Sequence, residues 1–168
     1  MKKILFLLFV MLLFLASCSS GEVKSFASDF NKVVNNEDID ELNPDKFGEI
    51  EGENKAKWQT LYESEAYTIE ANYEDGKKLS GYTISIESSE PYEQLEGKGY
   101  EASIAVAKVL GLDPNEFINH FETELEGKIL EDVHSYLEDD YEVVFVAKKL
   151  SEFDPETGLS ILFKKVNQ

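Results

Sequence analysis

The chain has 168 residues, with 34 acidic against 16 basic side chains and a formal net charge of −18. Every basic residue is lysine, so the clustered cations that grip nucleic acid are lacking and bidentate arginine clamps on phosphate or carboxylate are excluded. Cys18 is the only cysteine, which rules out an internal disulfide and leaves packing alone to hold the fold.

The chain opens on Lys2 and Lys3, followed by an unbroken apolar run from Ile4 to Leu15 and then Leu15-Ala16-Ser17-Cys18. As a helix the run would rise about 18 Å, short of the roughly 30 Å hydrocarbon core, so it reads as a secretory signal and not as a spanning anchor. Its last four residues resemble the lipobox of bacterial lipoproteins. The resemblance implies cleavage between Ser17 and Cys18, with a diacylglycerol on the Cys18 thiol. It also implies a location on the extracytoplasmic face of the cell membrane. Two acyl chains anchor stably where one does so marginally. The expected organisation is a signal peptide over 1–17, the lipidated Cys18 and a short polar spacer over 18–22, and a single acidic domain over 23–168. Losing Lys2 and Lys3 with the signal takes the net charge from −18 to −20. Such a chain is repelled by an anionic membrane surface, so the lipid and not charge must hold it there.

Phe26, Phe30, Val33 and Val34 fall at helical spacing and predict a helix from about Val23 to Asn35. The acidic stretch from Asn36 to Asn54 reads as a surface excursion pinned by Ile39, Leu42 and Phe47, with Asn43-Pro44 starting a short turn of helix. From Trp58 the period changes to two. Tyr67, Ile69, Ala71 and Tyr73 alternate with polar residues, as do Tyr82, Ile84 and Ile86, across an Asp75-Gly76 turn. This predicts a hairpin with one buried face, to which Trp58–Tyr62 adds a third strand. Ser88 to Gly99 is a loop around Pro91. Tyr100–Leu110 is apolar nearly all round and predicts a buried helix ended by Gly111. Asp113 as N-cap, Pro114 at the first helical position and Glu116 as the return half of a capping box predict the next helix. Leu112 and Phe117 are placed as its hydrophobic staple, and Gly127 stops it. Val133–Leu137 and Tyr141–Lys149 predict strands about the acidic turn Glu138-Asp139-Asp140. After a turn over Phe153–Gly158, Leu159, Ile161 and Phe163 predict the last strand. The continuous apolar run Val143–Val146 predicts a central strand covered on both faces.

The fold class expected is α+β: an antiparallel sheet of two β-meanders with helices packed on one face. Leu61-Tyr62-Glu63 echoes Tyr136-Leu137-Glu138, and Ser80–Ile86 echoes Thr157–Phe163, each set following a Phe-x-x-x-Phe helix. A duplicated helix-plus-meander unit would explain the echo, and so would two ordinary hairpins with shared alternation. The layout resembles that of secreted β-lactamase-inhibitor-type proteins in architecture alone.

Motifs for chemistry are sparse. Gly97-Lys98-Gly99 lacks the further glycines of a phosphate loop, and there is no G-x-S-x-G or HExxH. The acidic loop at Asp38 has Leu42 and Asn43 where an EF-hand needs a ligand and a glycine. Glu116, His120 and Glu124 repeat at i, i+4 and i+8, a stripe that could hold a divalent metal or move a proton. The plainer account of that stripe is a solvated flank beside the Phe117/Phe121 core. His134 has no evident partner, and no cofactor is expected beyond the lipid on Cys18.

The whole resembles the small surface lipoproteins of Gram-positive bacteria, the specific match being the signal and lipobox. The expectation is a lipid-anchored, non-enzymatic binding module, contacting the membrane through its lipid and taking no nucleic acid. The acidic loops, Glu138, Asp139 and Asp140 among them, would steer a basic protein or peptide. Alternatives are an immunity or inhibitor protein masking a cationic wall-active enzyme, or a small solute-capture lipoprotein.

Overall fold

A computed structural model describes residues 18–35, 38–52, 55–75, 78–126, 134–151 and 154–166, with side chains described outside 18–20, 124–126 and 147–157. Its elements run α1 (Cys18–Val34), β1 (Ile50–Glu51), β2 (Lys57–Glu63), β3 (Tyr67–Glu74), β4 (Lys78–Ile86), α2 (Lys98–Val109), α3 (Pro114–Glu126), β5 (His134–Glu138), β6 (Tyr141–Ser151) and β7 (Asp154–Lys165). The seven strands form one antiparallel sheet in the order β1-β2-β3-β4-β7-β6-β5. Two meanders therefore meet along β4 and β7, and the fold is α+β as the alternation and helical stripes predict.

One face of the sheet is covered by the helices, and period-two alternation decides which residues it buries. Tyr67, Ile69, Ala71 and Tyr73 of β3, Leu79, Tyr82, Ile84 and Ile86 of β4, and Leu159, Ile161 and Phe163 of β7 all point inward and are buried. α2 packs between α1 and α3 and against β4. Its alanines Ala102, Ala105 and Ala107 are buried, and their small side chains let it lie deep in the core. Phe117 lies between the rings of Phe145 and Phe163, 5.8 Å from each, and Phe121 meets Tyr100 edge-on at 5.0 Å.

The helix ends follow local chemistry. Gly111 takes φ +84°; its N–H donates to the Lys108 carbonyl at 3.1 Å and the Leu112 N–H to that of Ala107 at 3.0 Å, the paired bonds of a Schellman stop. Leu112 and Phe117 are both buried at the junction, as the staple requires. The expected turn at Asn43-Pro44 is a 3-10 turn, Pro44–Lys46, capped by the Asn43 side chain, with Ile39 and Leu42 buried beside it.

Four expectations need correction. Residues 18–22, expected as a spacer, are helical: α1 reaches back to Cys18, held by buried Val23 and by a 3.0 Å ion pair between Glu22 and Lys165. β6 is not central but second from the edge, so Val143 and Phe145 are buried while Val144 and Val146 lie half-buried on the uncovered face. β7 begins at Asp154 within the expected turn, because β6–β7 pairing continues through Lys149↔Thr157 to Ser151↔Asp154. The excursion before β2 also contributes the short edge strand β1, which alternation over two residues could not reveal. Gly76, Gly127, Val133 and Phe153 lie outside the described residues.

Candidate functional site

The only two histidines come together where α3 crosses β5. His120 Nδ1 and His134 Nε2 are 3.0 Å apart, a hydrogen bond in which one ring donates its N–H and the other accepts. The His120 ring also stacks on Tyr136 with centroids 3.8 Å apart and planes at 6°, while its Nε2 is 3.9 Å from a Glu116 oxygen. Register explains the meeting. His134 and Tyr136 alternate onto the covered face of β5, and His120 lies one turn along α3 from Glu116, facing them. Burial and the charge of neighbouring His120 hold His134 below the usual imidazole range. Burial, then the carboxylates of Glu138 and Glu116, push the Tyr136 phenol well above its usual range. The Tyr136 hydroxyl is buried with no protein hydrogen-bond partner.

The stripe read from sequence is therefore divided. Glu116 and His120 are together, Glu124 has its side chain outside the described residues, and the missing partner is His134. Each imidazole nitrogen at the contact is occupied by the other ring. Among the described residues no three His, Cys, Asp or Glu side chains gather as a metal-holding group.

Glu116 does not close the capping box. The Asp113 carboxylate accepts from the Asn115 N–H at 2.8 Å, but the Asp113 N–H donates to Glu138 Oε1 at 2.7 Å. A carboxylate 25 residues away does the work assigned to the one three residues away. Glu138 is thus a strut between β5 and the start of α3, its second oxygen buried without a protein partner, and not a free acid awaiting a ligand. Asp139 and Asp140 are exposed at the β5–β6 turn, Asp139 in the left-handed region at φ +49°.

The larger feature is the uncovered face of the sheet. Cross-strand register arranges it in rows. One runs Trp58, Asn72, Gly81, Lys164, Glu142, Leu137 from β2 to β5; the next runs Thr60, Glu70, Thr83, Leu162, Val144, Ser135. A third holds Thr68, Ser85, Ser160 and Val146. Short polar side chains bond across strands, Asn72 Nδ2 donating to Thr83 Oγ1 at 2.7 Å and Ser85 Oγ lying 3.0 Å from Ser160 Oγ. At Gly81 the strands approach so closely that a Cβ would sit 2.0 Å from the Phe163 carbonyl oxygen. The missing side chain leaves a shallow recess of about 260 Å³ beside Trp58 and Leu162. This face is smooth, mixed in polarity and without a deep cleft at that recess. Sequence alternation identified its residues but not their neighbours, because the β4–β7 pairing joins segments about 75 positions apart.

No known protein family, curated protein or solved structure matches the chain.

Proposed function

We propose that this protein is a lipid-anchored, extracytoplasmic binding module that engages a partner across the uncovered face of its sheet, without catalysing a reaction. The observation that carries the reading is the junction at Cys18. A charged start, an apolar run too short to span and a Leu-Ala-Ser-Cys tetrad end on the residue that opens α1. Diacylglycerol there would be joined to the folded domain with no linker between. The broad face of Ser, Thr and aliphatic side chains supports a macromolecular contact over a small-molecule pocket, since ligand pockets are concave and enclosing.

A second reading, an immunity or inhibitor protein that masks a cationic wall-active enzyme, is favoured by the acidic surface. The exposed Asp139 would steer such a partner, whereas Glu138 is engaged at the α3 cap.

Metabolic labelling with a fatty acid and membrane fractionation test the anchoring. The wild-type chain should carry label and sediment with membranes, and Cys18→Ala should lose both. A Cys18→Ala protein that is cut after Ser17 and stays on membranes as before would sink the reading.

A further inference from the structure

Four large apolar side chains stand exposed among the described residues: Ile50 (46%), Trp58 (37%), Leu137 (71%) and Val166 (42%). They come from three separate stretches of the chain, yet register places all four at one end of the sheet. Trp58 and Leu137 lie in the same cross-strand row on the uncovered face, five strand spacings or about 24 Å apart. Ile50 precedes Glu51, which pairs with Trp58. Val166 follows the end of β7, its N–H donating to the Asp140 carbonyl at 2.8 Å.

α1 begins at this same end. Glu22 in its early turns pairs with Lys165 at 3.0 Å, and Phe26 stacks on Tyr82 at 4.0 Å. The helix then runs to the opposite end, where Asn31 bonds the Leu42 backbone and the nearby Asp40 accepts from the Tyr62 hydroxyl at 2.6 Å. Cys18 lies one turn before Glu22, about 6 Å further along the axis. The cysteine and the exposed apolar residues thus share one end of the domain.

We propose that this end rests on the bilayer surface, with Ile50, Trp58, Leu137 and Val166 seated at the boundary between headgroups and acyl chains. The proposal depends on the reading of Cys18 as the lipid-bearing residue. Tryptophan favours that boundary, its ring apolar and its N–H in the wet layer. Lys57 falls at the same end and can lay its stem along it while its ammonium group reaches phosphates; Lys164 and Lys165 there pair with Glu142 and Glu22. Glu51, Glu74, Asp75, Asp139 and Asp140 also lie there, so the contact is with neutral lipid and weakens as anionic lipid is added. Four scattered side chains would not recruit a free domain. A lipid on Cys18 changes that by keeping their local concentration at the surface high, so that a weak contact is populated.

Trp58 is the only tryptophan and reports the contact directly. The full-length processed protein, with the mass of its Cys18 lipid verified, is reconstituted into phosphatidylcholine vesicles at high dilution, with and without bromine on the upper acyl chain. Trp58 should be quenched by the brominated lipid and be several-fold less accessible to acrylamide than a free indole. Leu137→Ser should raise acrylamide access about twofold. Lipidated protein whose Trp58 is open to acrylamide and ignores bromine overturns the proposal. So does shielding without bromine quenching, which would mean that a second protein molecule covers this end. A missing lipid mass overturns the anchoring reading itself, and this contact with it.

Discussion

Acidification should strain the contact between α3 and β5, and the histidine pair sets how. Near neutral pH the two rings share one hydrogen bond at 3.0 Å. The Glu116 carboxylate lies 3.9 Å from the far nitrogen of His120. A proton taken up by His134 occupies the nitrogen that meets His120, and burial and the charge of His120 oppose it. His134 is held below its ordinary value of 6.5 in the folded chain, so the unfolded chain binds that proton more readily. The stabilising contribution is therefore complete above pH 6.5 and is lost as pH falls below it, down through the lowered folded value. One hydrogen bond is worth about 1 kcal/mol, and the screened repulsion of two partly exposed charges adds about as much. At roughly 2–4 °C per kcal/mol for a domain of this size, the melting temperature should fall by about 4–8 °C between pH 7.5 and 5. Acidification also discharges carboxylates and relieves self-repulsion, so the informative quantity is a difference. His134→Gln keeps a hydrogen-bonding group that does not titrate. Thermal unfolding followed by circular dichroism should show the wild type losing those degrees relative to His134→Gln. Identical pH responses of the two proteins would refute the reasoning.

Phe121 is wholly buried among Tyr100, Phe117 and Phe145, so Phe121→Ala should cost about 3–5 kcal/mol in urea unfolding. A loss under about 1 kcal/mol would contradict the packing of α3 on the sheet. Gly81→Ala, whose new methyl would meet the Phe163 carbonyl, should destabilise by about 1–3 kcal/mol and part β4 from β7; hydrogen exchange at those amides should rise first. Tyr136→Phe removes a buried hydroxyl with no protein partner while keeping the ring against His120, and should leave stability unchanged or raise it by up to about 1 kcal/mol.

What was legible in the sequence was local. The β3–β4 hairpin, the α2 stop at Gly111 and the α3 start at Asp113 depend on residues within a few positions of each other, and the structure has all three. What was not legible depends on strand order. Val143–Val146 reads as doubly covered until β6 is seen beside the edge strand, where Val144 and Val146 face outward. The capping box called for Glu116 because it is three residues from Asp113; Glu138 arrives only once β5 is placed under the junction. His134 has no partner in its own segment, and finds one because β5 brings it beneath α3. The helical stripe of Glu116 and His120 was a real hint, but half of the cluster came from another element.

The join between the meanders bears on how the chain is made. β4 is the middle strand, and its far neighbour β7 is the last of the seven in chain order. Until β7 arrives, the first half presents β4 as a bare edge, with Ile84 and Ile86 lacking the row-mates Ile161 and Leu159 that flank them in the finished sheet. Closing so long a loop is slow, and a naked edge invites pairing with the wrong chain. For a protein exported as proposed here the delay is useful: translocation needs an unfolded polypeptide, and a domain whose central pairing waits for its final strand stays threadable until nearly all of it has crossed.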